Sequence, residues 1–153
     1  MKIYVTGLGV VSGIGLGVAE NIASLRKHQH GMGKVTLFPT ELDVPGSEVK
    51  YSNEELKRLL SLDIQKTFSR TALLGMLAAR EAVDDARLDL NTLRVGLISS
   101  TSVGGMDLSE HFYNAFKKDN RKGRLREVIS HDCGASTEMI ADYLKVNDFV
   151  TTI

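Results

Sequence analysis

The sequence predicts a layered α/β fold with a mostly parallel sheet covered by helices, and three observations lead to this prediction. Residues 2–11, 95–101 and 149–153 are rich in β-branched and apolar side chains, as strands are. Segments with helical periodicity separate these three stretches, which is the pattern of an α/β domain. Parallel sheets are normally covered on both faces, and three strands make a thin sheet. We therefore expect an incomplete layered fold, part of a larger one.

Composition limits the classes of partner and compartment. The chain has 153 residues, about the size of one domain, with 19 basic and 19 acidic side chains. This balance gives no net field that would attract nucleic acid or an anionic membrane, so neither partner is expected. The single cysteine cannot form an internal disulfide, which fits a reducing compartment and predicts a cytoplasmic protein. The first residues lack the pattern of a signal peptide, and no apolar run is long enough to span a membrane.

The first half of the chain divides into a strand, a helix, an irregular segment and a second helix. The strand over residues 2–11 ends in a glycine turn, and a short helix follows over residues 18–26. Residues 31–53 contain both prolines and no sustained period, which predicts a connection or lobe with little regular structure. Ser52 and Glu55 have the spacing of a capping box, so a helix is expected from there through Leu62.

The second half carries the strongest helical pattern. A helix over residues 69–86 is predicted from its alanines and from the apolar positions Leu73, Met76, Leu77, Ala79, Val83 and Ala86. Residues 95–101 should form a strand buried on both faces, followed by a turn at Ser102–Gly105. Asp107 and Glu110 then predict a helix cap, with the helix reaching Phe116. Residues 117–126 are expected to be solvated, and residues 136–144 to form another helix.

The glycines after the first strand raise the possibility of a nucleotide site. A Rossmann turn needs a third glycine, but the pattern that starts with Gly7 and Gly9 has Ser12 at that place. No acidic residue occurs over residues 27–31, where the ribose ligand should lie. A nucleotide-binding α/β domain is therefore the disfavoured alternative, and we interpret these glycines as allowing tight backbone packing.

The stretch HDCGAST holds His131, Asp132 and Cys133, which together have the composition of a catalytic triad. Triads are assembled from distant parts of a chain, because adjacent side chains rarely meet in the required geometry. On an extended segment His131 and Cys133 would point the same way, but a third group and an oxyanion hole would still be missing. Neighbouring ligands without a second cluster do not predict a metal site. We interpret Cys133 as a small, partly buried apolar residue that is not a nucleophile.

Four stretches in order resemble the amino-terminal half of the β-ketoacyl-acyl-carrier-protein synthases, condensing enzymes of the thiolase-like superfamily. They are YVTGLGVVSGIG, FSRTALLGMLAAREAVDDARL, RVGLISSTSVGG and STEMIADYLKVNDFVTTI. The first is close to the family's TGLGVVSPLG, with Gly13 in place of proline. Residues 31–62, which we expect to be a connection or lobe, and residues 117–135 match poorly.

The resemblance implies a thiolase-like layered fold in which residues 1–153 end just before the nucleophile. In the family that cysteine follows the strand similar to Phe149–Ile153, so it is expected just beyond Ile153. The implied activity of the complete enzyme is the decarboxylative condensation of an acyl thioester with malonyl carrier protein, in fatty-acid or polyketide-like chain extension, without a cofactor. The present chain would hold no catalytic residue and would be inactive alone. An alternative is a chain-length-factor type of partner subunit, which lacks the cysteine, and a pigment-type branch stays open.

The resemblance also implies site residues and partners. Ser109 would line the acyl-chain pocket, and Ser102, Gly104 and Gly105 form the turn before it. Cys133, Ser136 and Thr137 would approach the pocket of the other subunit. The expected partners are acyl carrier protein, acyl thioesters and a second subunit, in a homodimer or a heterodimer with a related synthase subunit. The expected dimer strand consists of Phe149, Val150, Thr151, Thr152 and Ile153, and an exposed β-branched edge has its own physical need for pairing.

Overall fold

The computed structural model describes residues 2–153, which form six helices and three small two-stranded sheets. The helices are α1 (Val18–Arg26), α2 (Asn53–Leu59), α3 (Arg70–Ala86), α4 (Met106–Lys118), α5 (Arg126–Ile129) and α6 (Cys133–Leu144). The strands are β1 (Val11–Ser12), β2 (Gly15–Leu16), β3 (Met32–Gly33), β4 (Gly46–Ser47), β5 (Gly96–Ser99) and β6 (Phe149–Thr152). None of the helices in the described part of the chain is long and apolar enough to cross a membrane.

The parallel sheet consists of β5 and β6, with Gly96 opposite Phe149 and Ser99 opposite Thr152. The other two sheets are antiparallel pairs, β1 with β2 and β3 with β4. Helices α3 and α6 pack against each other, and α6 also covers one face of the parallel pair. This arrangement confirms an incomplete layered α/β fold, because a parallel pair joined through a helix is present and helices cover one of its faces.

The core lies where α3 meets α2 and α6. Its buried apolar side chains are Leu56, Leu60, Ala72, Leu73, Met76, Leu77 and Ile140. The predicted capping box is confirmed, because the Ser52 hydroxyl accepts from the Glu55 amide and the Glu55 carboxylate accepts from the Ser52 amide. Helix α2 ends at Leu59, three residues before the predicted end. Ser69 caps α3 by accepting from the Ala72 amide, so the predicted helix over residues 69–86 is confirmed.

The predicted first strand over residues 2–11 is wrong for all but its last residue. Val11 pairs in β1, and the preceding segment has no strand partner among residues 2–153. Carboxylates of α3 take the place of a neighbouring strand: Asp85 Oδ2 accepts from the Leu8 amide at 3.0 Å, and Glu81 Oε2 accepts from the Val10 amide at 2.9 Å. The segment is therefore held by side chains of a helix and not by a neighbouring strand.

The glycines of this segment allow its backbone to lie directly on α3. A Cβ atom at Gly9 would collide with the carbonyl group of Ala78, and one at Gly7 with the carbonyl oxygen of Ala82. The second Glu81 oxygen, Oε1, accepts from the Val18 amide at 2.6 Å and so joins the start of α1 to the same helix. These contacts support packing as the role of the glycines.

Two further predictions fail for physical reasons. Strand β5 is not buried on both faces, because Ile98 points away from the helices and is 62% exposed. Asp107 does not cap α4, whose N-cap is Gly105. The Asp107 carboxylate instead accepts a hydrogen bond at 2.9 Å from the Arg70 amide at the start of α3. A long-range contact has thus replaced the local cap.

Candidate functional site

The candidate site lies at the carboxyl ends of β5 and β6. The Ile153 amide donates to the Ser99 carbonyl at 3.0 Å, which holds these two ends side by side. The Thr152 hydroxyl donates to the Thr137 hydroxyl at 2.7 Å, so the first turns of α6 lie against the end of β6. In α/β proteins, ligands bind at this edge of the sheet, beyond the carboxyl ends of the strands.

The turn after β5 forms another side of the candidate site. The Thr101 hydroxyl accepts from the amides of Val103 and Gly104, both at 3.2 Å, and Gly104 has a left-handed φ of 50°. Gly105 lies against the backbone of Ser130, where a Cβ atom would collide with the carbonyl group. A left-handed turn and a close backbone approach both favour glycine. These two predicted site glycines therefore position the start of α4 against residues 130–132.

A hydrogen bond between Ser109 and His131 crosses this junction. The His131 Nδ1 atom lies 3.0 Å from the Ser109 hydroxyl, and the donor depends on the tautomer of the ring. Sequence reasoning singled out each residue but did not connect them, because 22 positions separate them. This edge of the site consequently carries a polar pair.

Cys133 has a different setting from the one expected. The residue is the first of α6, so it does not lie on an extended segment, and Asp132 caps the helix by accepting from the Gly134 amide at 2.6 Å. The His131 ring bonds to Ser109, and within residues 2–153 no hydrogen bond joins it to the half-buried thiol of Cys133. The triad geometry considered from sequence is thus absent from the described residues.

The remaining predicted pocket residues differ in exposure. Ser102 lies exposed in the turn, whereas Ser136 and Thr137 are buried. The Ser136 hydroxyl donates to the Cys133 carbonyl at 2.8 Å, and the Thr137 hydroxyl accepts from Thr152. The structure therefore brings the candidates to one edge of the sheet but uses two of their hydroxyl groups internally.

A cavity of about 350 Å³ lies beside this turn. Its lining includes Gly104, Arg70 and Asp107, and Asp107 Oδ1 is buried there without a hydrogen-bond partner among residues 2–153. The Arg70 guanidinium is occupied, because it donates to the carbonyls of Val49 and Tyr51 and to the side chain of Asn53. Sequence reasoning missed this network, since nothing local signals a bond from α3 to α4.

The carboxyl group with the most strongly lowered pKa, that of Glu48, lies away from this edge. The Lys50 ammonium, together with the Thr36 hydroxyl and the amides of Thr36 and Leu37, lowers the pKa of the Glu48 carboxyl to about 2. The amide and hydroxyl of Ser52 lower the pKa of Glu55 as part of the capping box.

Across residues 2–153 no group of three or more potential ligands could hold a metal ion. The candidate site is accordingly built from hydroxyl, imidazole and backbone groups.

The predicted dimer strand is present as β6. One edge of this strand pairs with β5, and no other described strand pairs with its second edge. The side chains of Phe149 and Ile153 are exposed. The strand is therefore open to pairing, and its role in a dimer stays a prediction.

Comparison with known proteins finds relatives that are similar in sequence and a solved structure that is similar in fold. No family model matches the chain. It is 28% identical over 113 residues to the 3-oxoacyl-[acyl-carrier-protein] synthase 2 of Staphylococcus aureus strain MRSA252, a match covering 72% of this chain and 27% of that protein. The synthase 2 of Synechocystis is 27% identical over 114 residues, with 71% and 27% covered. The chain thus spans about a quarter of the length of these curated relatives.

A solved structure agrees with the sequence relatives. The ishigamide ketosynthase/chain length factor superimposes with a TM-score of 0.78 at 26% identity, covering 97% of this chain and 38% of that one. The parallel β5–β6 pair, its covering helices and the glycine turn thus belong to a known architecture. In sequence and in fold the chain is thus similar to part of a thiolase-like β-ketoacyl-acyl-carrier-protein synthase.

Proposed function

We propose that the chain is the structural part of a β-ketoacyl-acyl-carrier-protein synthase that extends acyl chains in fatty-acid or polyketide-like synthesis. The observation that carries this proposal is the superposition of nearly the whole chain on a ketosynthase/chain length factor, together with sequence relatives that are 3-oxoacyl-acyl-carrier-protein synthases. The chain would supply scaffold, one wall of the acyl pocket and a subunit-pairing strand.

The proposed reaction joins an acyl group to a malonyl unit held on carrier protein. A thiolate on the enzyme attacks the acyl thioester, the carrier thiolate leaves, and malonyl carrier protein then loses carbon dioxide to give an enolate. The enolate carbon attacks the acyl carbonyl, the enzyme thiolate leaves, and 3-oxoacyl carrier protein is formed. We assign the nucleophile to a cysteine outside residues 1–153, since Cys133 hydrogen-bonds with neither His131 nor a carboxylate in the described residues.

This assignment is tested by acyl transfer to the pure chain. After incubation with a carrier protein that holds an acyl thioester, intact-mass spectrometry should show no acyl adduct on the chain. In a parallel incubation, malonyl carrier protein should keep its mass, because no carbon dioxide is released. Cys133→Ala is the matched control, because it removes the one thiol of the chain. An adduct on the wild-type chain that the variant lacks would make Cys133 the nucleophile and refute the proposal.

A second candidate is a non-catalytic subunit of the chain-length-factor type. The solved structure that matches 97% of this chain carries both names, ketosynthase and chain length factor, which keeps this candidate open. A condensing enzyme and a chain-length-factor type of subunit differ in one residue of the nucleophile motif. Sequencing the source gene past the codon for Ile153 should show Thr-Ala-Cys for a condensing enzyme, whereas another residue in place of the cysteine would indicate the partner subunit.

The proposed dimer strand has a directional test. The Ile153 amide bonds to β5, so by the alternation of a strand the Val150 amide points to the free edge. Val150→Pro should remove a donor from that edge and shift the protein from dimer towards monomer in light scattering. Val150→Ala, which keeps the amide, is the control. An unchanged dimer mass for the proline variant would count against pairing through β6.

A further inference from the structure

The Met76 groove is a second cavity of about 630 Å³, lined by residues of α3, α5 and α6 and of the loop between α2 and α3. Its residues are Leu62, Gln65, Lys66, Thr67, Phe68, Met76, Arg126, Ile129, Met139, Asp142 and Tyr143. The volume lies within the range of small-molecule sites, which are mostly apolar with a few polar groups that fix orientation. None of the site residues predicted from sequence lines it.

The floor of the groove is apolar and adaptable. Met76 belongs to the buried core, while Met139 and Phe68 are partly buried against it. Ile129 lines the groove and yet is 78% exposed to solvent. An apolar ligand would remove this side chain from water, and thioether side chains adjust their shape to an irregular occupant.

The rim is ordered and carries positive charge. The Lys57 ammonium donates to the carbonyls of Ile64 and Lys66, at 3.0 and 2.6 Å, which fixes the loop that presents the Lys66 side chain. Arg126, at the start of α5, also lines the groove. Neither Lys66 nor Arg126 forms an ion pair with another residue of the described chain.

Charge and shape together specify one class of ligand. Asp142 is the one acidic side chain of the lining, against the two cations. An anion is therefore favoured over a cation, and a guanidinium binds carboxylates through paired hydrogen bonds. We propose that the Met76 groove binds an alkyl carboxylate, with its chain on the apolar floor and its carboxylate at the rim that carries Lys66 and Arg126. This inference goes beyond the proposed function and does not depend on it.

Titration of the chain with decanoate tests the proposal. With methyl-¹³C-labelled methionine, the signals of Met76 and Met139 should shift in a saturable way, while those of Met32 and Met106, which lie outside the groove, should stay in place. Decanamide has the same chain without the charge and should bind several-fold more weakly. Equal affinity for the two probes, or equal shifts at all four methionines, would overturn the proposal.

Two variants assign the charge to the rim. Arg126→Gln should weaken decanoate binding roughly three- to fivefold and leave decanamide binding unchanged, because an exposed ion pair contributes modestly. Arg94→Gln removes an exposed cation outside the groove and should change neither affinity. Both substitutions are at exposed positions, so circular dichroism is expected to show a folded chain. A similar loss in both variants would indicate a general charge effect and refute the site.

Discussion

The two faces of the β5–β6 sheet differ in what covers them. The inner face lies against α6, and the apolar cluster beneath it includes Leu73, which is fully buried. The outer face carries Ile98 and Phe149, which are 62% and 55% exposed. Parallel sheets are normally buried on both faces, so the outer face has the composition of an interior without its cover. Local sequence patterns predict strands, but the second cover of a sheet depends on distant parts of a fold.

The segment before β1 repeats this contrast. Its glycines lie on α3, whereas the side chains of Ile3, Tyr4 and Val5 are exposed. A long exposed apolar segment with free backbone groups is open to pairing with another strand. The chain therefore presents interior-type residues to solvent at two places, the outer face of the sheet and the segment before β1, and substitutions there and in the packed core should have different effects.

The largest effect is expected in the covered core. Leu73→Ala should lower the free energy of unfolding by about 2–5 kcal/mol, because it leaves a cavity among α2, α3 and α6. Ile98→Ala on the outer face is the matched control and should cost well under 1 kcal/mol. Urea denaturation followed by circular dichroism measures both. Equal losses would mean that the outer face is covered in solution, for example by association of chains.

The next effect concerns the glycine contact that holds the segment before β1. Gly9→Ala places a methyl group on the backbone of Ala78, so we expect roughly 1–3 kcal/mol of destabilisation and faster hydrogen exchange at the Leu8 and Val10 amides. Gly33→Ala is the control, since no atom lies within 4 Å of the added methyl position. Unchanged exchange in Gly9→Ala would show that the segment does not rest on α3.

A smaller effect is expected at the carboxylate that ties this segment to α1. Glu81→Ala leaves the amides of Val10 and Val18 without their acceptor and should cost about 1–2 kcal/mol. Asp84→Ala, on the exposed side of the same helix, should be nearly neutral. Thermal unfolding of both variants gives the comparison. A neutral Glu81→Ala would indicate that water satisfies these amides.

The features that could be predicted from the sequence are those that short-range interactions determine. Helix α1 begins and ends at the predicted residues, and α2 shows the predicted capping box, because caps and periodicity act within a few residues. The periodicity predicts a helix from residue 136, whereas α6 begins three residues earlier, at Cys133, because Asp132 is a good N-cap residue.

The failures share a long-range cause. The segment before β1 has strand composition, but a strand exists only where a partner lies beside it, and α3 takes that place. Asp107 has cap spacing, but the Arg70 amide takes one of its carboxylate oxygens. The bond between Ser109 and His131 joins residues from two separate elements. The chemistry of the two side chains could be predicted from the sequence. The hydrogen bond between them could not, because tertiary packing brings the two elements together.

The smallest effect depends on pH and concerns the lobe that contains β3 and β4. The hydrogen bond from Lys50, with those from Thr36, lowers the pKa of Glu48 from 4.5 to about 2 in the folded chain. A lowered folded pKa means that this contribution to stability is complete above pH 4.5 and is lost as the pH falls towards 2. The Thr36 amide signal in NMR should therefore titrate with a midpoint near pH 2, and Glu48→Gln should remove that titration. Glu41→Gln, a substitution in the same lobe, should leave it intact. A Thr36 midpoint near pH 4.5 would show that Lys50 and Thr36 do not hold the Glu48 carboxylate in solution.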